Sequence, residues 1–306
     1  DKPYLLVSPL ELERAAKEVK SGIEAVSAYD YNSKSKGYLE NFLKMQGVKK
    51  VIVPDAFPYK TGAWLSKSFE VAVADPPFYP KRAIKTDWEV VEIEKAQMAV
   101  EYAVKEAMEF LSACTIDQGL VWAHKPLRIA SADELRKIID EKLYILGCLG
   151  VDTIVACGKQ AADPHCAGSG TLLAHQPIVM DVFPLSLETH YYADMTRTVF
   201  KGEPSDELAI MYENVEYAQS EAMSLVCHGA DGKEIYDLVM DTFNSRGFPT
   251  EMKNRPMEGF IHGVGHGVGL DIHESPWIGA SKCILQEGNV VTIEPGLYYQ
   301  KARTRP

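Results

Sequence analysis

Short apolar runs at positions 4–7, 50–53 and 71–74, rich in Val, Leu and Ile, read as strands. Between them, apolar residues over 11–19 and 36–46 recur at helical spacing, and Gly47 is a natural helix stop. Strands alternating with helices predict a small α/β unit with a largely parallel sheet. Asp75-Pro-Pro-Phe-Tyr-Pro80 then places three prolines in six residues, which excludes helix and central strand alike. A domain boundary just beyond it divides the chain into 1–83 and 84–306.

The second part opens with a long helix. Val91, Met98, Tyr102, Val104 and Phe110 supply its expected apolar face, and Thr86 or Asp87 its cap. Ser131-Ala-Asp-Glu134 is a capping-box pattern for a second helix ending near Gly147. Buried strands are expected over 151–156 and 178–182. Helices follow over 205–226 and from Asp231-Gly-Lys-Glu234 to Gly247, then strand-forming residues over 290–293. The order helix, helix, strands thus occurs twice, a duplication of architecture without a residue-by-residue repeat. Ala167-Gly-Ser-Gly-Thr171 lacks the Lys of a phosphate loop and reads as a turn.

A length of 306 residues with 46% hydrophobic and 25% charged positions is that of an ordinary soluble globular protein. No apolar run approaches the ~20 residues of a membrane span, so no membrane partner is expected. A formal charge of −11 argues against a nucleic-acid partner, which needs clustered Lys and Arg. The six cysteines form no CxxC pair, which suggests a reduced, cytoplasmic protein. The first residue is Asp1, which leaves room for a removed targeting segment.

Three segments collect the candidate chemistry. In the first, Asp181 ends an apolar strand and Asp194 opens another after a turn through 186–190. A hairpin can set these carboxylates side by side, and burying two without a compensating cation is costly. Asp194 could instead turn the chain and pair with Arg197. The second segment, from Gly259 to Pro276, carries His262, His266 and His273 within twelve residues, among five glycines. Glycine lets backbone pass close to a neighbour or turn through positive φ, and imidazole is the commonest neutral ligand for zinc-like ions. The zincin motif HExxH is absent, which disfavours a single-zinc helix site. The third segment places Glu294 after Val-Val-Thr-Ile and before Pro-Gly, where a strand end can present a ligand. His165, in the loop Asp163-Pro-His-Cys166, reads equally well as a surface residue or as part of the pocket. His124, His175 and His228 lie in unremarkable contexts.

Taken in order, HGVGHGVGLDIHESP, NVVTIEPGLYY and the spaced Asp181…YYADMTRT resemble the pita-bread metallopeptidases: methionine aminopeptidases, prolidases, Xaa-Pro aminopeptidases and creatinase. The resemblance covers 84–299 by motif. The part before it is similar to the small domain of the proline-directed branch. It implies an α/β N-terminal domain followed by an α+β pita-bread (creatinase/aminopeptidase) catalytic domain. It further implies metal ligands at Asp181, Asp194, His266 and Glu294, holding two divalent ions of manganese, cobalt or zinc. His262 and His273 would contact substrate and stabilise the tetrahedral intermediate, with His165 lining the same pocket. Such ions make water a nucleophile at neutral pH and polarise the scissile carbonyl.

The implied reaction is hydrolysis of the bond between an N-terminal residue and proline, in a likewise implied homodimer. Two departures stand out. Asp181 and Asp194 are thirteen positions apart, two more than is usual for the family, with Phe183 and Pro184 in place of a glycine. An enlarged hairpin turn would absorb them. The family's fifth ligand, a Glu in a GxRxED-like strand, has no counterpart, because no acidic residue follows Glu294. The expectation is a chain incomplete at both ends. The alternatives are a non-catalytic pita-bread module that binds peptides or proteins, and a metal-independent creatinase-like hydrolase.

Overall fold

The computed structural model describes residues 2–31, 37–251 and 257–300. The chain divides into two compact units, Asp1–Pro80 and Lys81–Pro306. The first contains β1 (Tyr4–Val7), α1 (Leu12–Glu18), β2 (Glu24–Ser27), α2 (Tyr38–Met45), β3 (Lys50–Val53), α3 (Tyr59–Leu65) and β4 (Glu70–Val73). β1 pairs with β2 and β3 with β4, both in parallel, as strand–helix alternation requires. Strand β2 and helix α3 are additions to the sequence reading. Each is short, and Gly62 inside α3 weakens the helical signal. The first residue of the helix expected over 36–46, Lys36, lies outside the described residues.

The second unit opens with α4 (Asp87–Ala113), a helix of 27 residues. Thr86 caps it by accepting a hydrogen bond from the Glu89 amide, and the Glu89 carboxylate accepts one from the Thr86 amide. Then follow β5 (Thr115–Asp117), β6 (Leu120–His124), β7 (Leu127–Ile129), α5 (Ala132–Ile145), β8 (Cys148–Gly150), β9 (Ile154–Cys157), β10 (Pro177–Val182), β11 (Pro184–Ser186) and β12 (Met195–Phe200). Helices α6 (Asp206–Leu225) and α7 (Gly232–Ser245) and the strands β13 (Gly265–Gly267) and β14 (Glu274–Ile278) complete it. Ser131 and Asp231 cap α5 and α7 through their side-chain oxygens, as their sequence patterns predict, and Ser205, expected inside its helix, caps α6.

Two apolar clusters organise this unit. One gathers α4, α5, β6, β9, β10 and β12 around Leu135, Ile139, Leu143, Ile178 and Met180. The other gathers α6 and α7 around Phe243, Phe260, Val264 and Ile278. The apolar face expected on α4 is right at Val104, which is buried, and at Phe110, which packs against the core, but not at its other three positions. Val91, Met98 and Tyr102 are 45%, 60% and 45% exposed, whereas Ala96, Ala99, Val100, Ala103, Val104 and Ala107 are buried. Small side chains let α4 lie close against α5, so the helix turns its alanine face inward.

The strand expected over 290–293 is also not regular. Val268 donates to the Val290 carbonyl, and the Thr292 and Glu294 amides donate to the carbonyls of His266 and Val264. The segment therefore runs antiparallel along 264–268, but among the described residues only Gly267 and Val291 form a bridge there. The pairing register of β13 shifts at His266 and Gly267, which interrupts a continuous ladder.

Candidate metal centre

The first pair of candidate ligands is set by strand register. β10 and β12 are antiparallel with Asp181 directly opposite Thr196, and Asp194 stands two residues before Thr196. Side chains two apart share a face, so Asp194 and Asp181 project to the same side as diagonal neighbours. The chain continues beyond the ladder to a turn in which the Ser186 amide donates to the Tyr191 carbonyl and the His190 amide to that of Ser186. The chain between the two carboxylates thus forms an arm whose outer edge, β11, pairs with β8. Arg197 donates to the Thr196 carbonyl, and Asp194 lies against His266 rather than Arg197.

The second pair is set by close backbone packing. A Cβ on Gly265 would run into the Thr292 carbonyl, and one on Gly267 into the Ser275 carbonyl. The glycines of this run thus serve close approach, bringing the Glu294 segment beside β13. Thr292 then ties both ligands. Its hydroxyl accepts from the His266 amide at 3.0 Å and donates to Glu294 Oε1 at 2.9 Å.

The outcome is a cluster in which Asp194, His266 and Glu294 each offer a ligand atom within 4.8 Å of the others. His266 Nε2 lies 2.9 Å from Glu294 Oε1 and 3.4 Å from Asp194 Oδ2. Neither contact has hydrogen-bond geometry, and Nε2 is buried without a hydrogen-bond partner. Nδ1 sits 3.0 Å from the Gly267 carbonyl, to which it donates. That bond places the neutral ring's proton on Nδ1 and leaves the Nε2 lone pair facing two carboxylates. An orphaned buried nitrogen between carboxylate oxygens fits a cation: the donors suit it, and without it only a proton on the ring offsets the carboxylates.

Electrostatics describe the same need. Burial, reinforced by the carboxylates of Asp194 and Glu294, pushes Asp181 up to about 6, although the Thr196 hydroxyl at 2.6 Å opposes the shift. Asp194 is likewise raised, chiefly by burial. For His266, burial favours the neutral ring, but Asp194 and Glu294 overcome it and push the imidazole up to about 10. The field that draws a proton to this ring is the field that would hold a cation.

The remaining histidines surround this cluster. The His273 ring is 4.3 Å from that of His266 and perpendicular to it. Burial, then the charge of His266, lowers its affinity for a proton. His262 Nδ1 donates to the Gly263 carbonyl at 2.7 Å, so Nε2 is the acceptor for the Tyr298 hydroxyl at 3.3 Å. Burial lowers its pKa too. His165 is exposed, with its amide bonded to Asp163 Oδ1, yet its charge is felt at both His262 and His273. Asp194 and His266 keep only 8% and 7% of their side-chain surface accessible, whereas Glu294 keeps 31%. His273 is exposed, so access is from the side of Glu294 and His273.

Sequence reading missed Thr196, Thr292 and Tyr298. The threonines carry no signal of their own, being ordinary strand residues. Tyr298 follows the Glu294-Pro-Gly turn, and burial together with Asp181 and Glu294 raises its hydroxyl pKa. Its place in GLYY was the only hint.

The chain matches metallopeptidase family M24 over residues 91–304. Xaa-Pro dipeptidases of Pyrococcus horikoshii and Pyrococcus furiosus are each 29% identical to it, over 97% and 98% of this chain and 77% and 79% of theirs. Among solved structures, the prolidase from Pyrococcus furiosus superposes with a TM-score of 0.79 at 28% identity, covering 97% of this chain and 80% of that one. An Xaa-Pro dipeptidase from Bacillus anthracis gives 0.82 at 24% identity, over 97% and 78%. With a family match spanning most of its length and the motifs gathered into one cluster, the chain belongs to metallopeptidase family M24 and has the pita-bread fold.

Proposed function

We propose that the protein hydrolyses the peptide bond between an N-terminal residue and proline, with two divalent ions held by Asp181, Asp194, His266 and Glu294. Residues 1–83 are then the smaller creatinase-like domain and 84–306 the catalytic one. The observation that carries the reading is His266 Nε2, buried, bare and facing two carboxylates. The Xaa-Pro specificity is drawn from relatives bearing that name. A purely binding module is not favoured, since it has no use for buried carboxylates gathered round an orphaned imidazole.

When bound, the ions would activate water and polarise the scissile carbonyl. The protein's own groups do the rest. His273, neutral beside His266 and open to solvent, can donate an N–H where the carbonyl oxygen gains charge. His262 presents an acceptor nitrogen that fixes the Tyr298 hydroxyl at the edge of the site. His165 is assigned to the lining of the same space, a reading supported by its electrostatic influence on both His262 and His273.

The test is hydrolysis of an Xaa-Pro dipeptide and of a longer Xaa-Pro peptide, with chelator or with added manganese, cobalt or zinc. Cleavage before proline that requires metal is expected. Equal cleavage in chelator, or metal-loaded protein that binds these peptides without cutting them, would contradict the proposal.

A further inference from the structure

Just before α4 stands a buried amine that the site does not use. Lys85 is 6% exposed, and its Nζ lies 2.7 Å from Glu274 Oε1, whose side chain is 9% accessible. Arg82 Nη2 reaches Glu274 Oε2 at 2.6 Å and Asp271 Oδ2 at 2.9 Å. Removing such charges from water is a poor way to gain stability, because apolar packing of similar volume does as well or better. What the charges supply is a single geometry. The Glu274 carboxylate lies over Gly269, where an added Cβ would stand 2.6 Å from its oxygen. It also receives the Asp271 amide at 3.4 Å.

Glu274 directly follows His273, whose ring is 4.3 Å from His266. The same knot reaches the other site segments. Lys85 donates its amide to the Gly288 carbonyl at 2.7 Å, and Asn289 donates to the Ala83 carbonyl at 2.8 Å, on the approach to Glu294. Tyr192 donates its amide to Gly269, two residues before Asp194, and the Tyr191 hydroxyl binds Glu89 at 2.7 Å.

We propose that Lys85, with Arg82 and Glu274, is a positioning device that holds the turn from Asp271 to Glu274 and thereby keeps the His273 imidazole over the metal cluster. The inference rests on the peptidase reading above. Lys85 and Arg82 act through His273 and touch no ligand of the cluster.

The decisive comparison is between Lys85→Met, His273→Ala and the double variant. Lys85→Met is expected to lower kcat about ten- to a hundredfold with KM and metal content nearly unchanged, as for a catalytic group displaced by about 1 Å. The double variant should be no slower than His273→Ala alone, because both changes remove one function. Lys85→Arg should recover much of the loss. Additive losses in the double variant, or a loss that appears in KM alone, would overturn the proposal.

A second arm needs no turnover. In metal-free protein, amide hydrogen exchange over 269–274 should quicken in Lys85→Met while β10 stays protected. Unchanged exchange there, or a rise across the whole unit, also overturns it. If the wild-type protein cleaves no Xaa-Pro peptide, the peptidase reading fails, and the exchange arm still decides the positioning role. Should Lys85→Met fail to fold, Glu274→Gln breaks the same ion pair from its anionic side at equal volume and carries both arms.

Discussion

Asp181 stands on a regular ladder between the six-residue strands β10 and β12 and Asp194 one residue beyond its end, whereas His266 and Glu294 hang from a three-residue strand and an irregular segment beside it. Both halves of the catalytic unit follow a pair of packed helices, and each has its own apolar cluster. They nevertheless deliver their ligands differently. In the first half, the period-2 alternation of a paired strand aims the carboxylates, and the flanking Ala193 and Met195 anchor in the core. In the second half, glycines permit close approach, and one side chain, Thr292, fixes both ligands. A six-residue ladder distributes its hold over many bonds, whereas the second half has, among the described residues, three backbone bonds from 290–294 to 264–268 and one threonine that links its two ligands.

The largest effect should come from breaking the meeting of the halves. Asp194→Ala is expected to reduce peptidase activity to background and to release metal, measured by turnover of an Xaa-Pro peptide and by metal content after dialysis. Activity surviving with metal retained would show that the first half contributes no essential ligand. Next comes His273→Ala, which should lower kcat by about 10²–10³, the size of losing one oxyanion donor, with metal content intact. Loss of metal together with activity would make His273 a ligand instead.

The comparison itself is sharpened by two threonines. Thr292→Val removes the hydroxyl that links the His266 amide to Glu294, and should weaken metal binding about 10- to 100-fold, as losses beside metal ligands do. Thr196→Val removes one bond to Asp181 Oδ1 but leaves the ladder that aims it, so its effect should be clearly smaller. Equal losses on metal titration would mean that the two halves hold their ligands alike. The smallest effects belong to the helix caps. Ser131→Ala on α5 and Asp231→Ala on α7 should each cost about 1 kcal/mol in denaturant unfolding without changing metal affinity.

The same contrast explains what could be read from the amino-acid order. Caps and β10 were legible because each depends on neighbours a few residues away. So was the grouping of Asp194, His266 and Glu294. His266 and Glu294 lie in short segments where histidines crowd among glycines or a carboxylate ends an apolar run, patterns that core packing does not call for, and Asp194 was read only from its place opposite Asp181 across a hairpin. The face of α4 was not legible. Large residues such as Met98 and Tyr102 outweigh alanines in a periodicity reading, but it is the alanines that permit close packing on α5. Nor could the order of residues expose Thr292 or Lys85. Their roles arise from partners at 266 and 274, brought close only by folding.

Everything proposed for this site depends on His266 Nε2 completing a metal centre. The most direct test is the metal content of the purified protein and of its His266→Ala variant, each loaded with manganese, cobalt or zinc and then dialysed. The wild-type chain should retain about two ions, the occupancy of a dinuclear site, and the variant should lose tight binding. Equal retention by both proteins would contradict this.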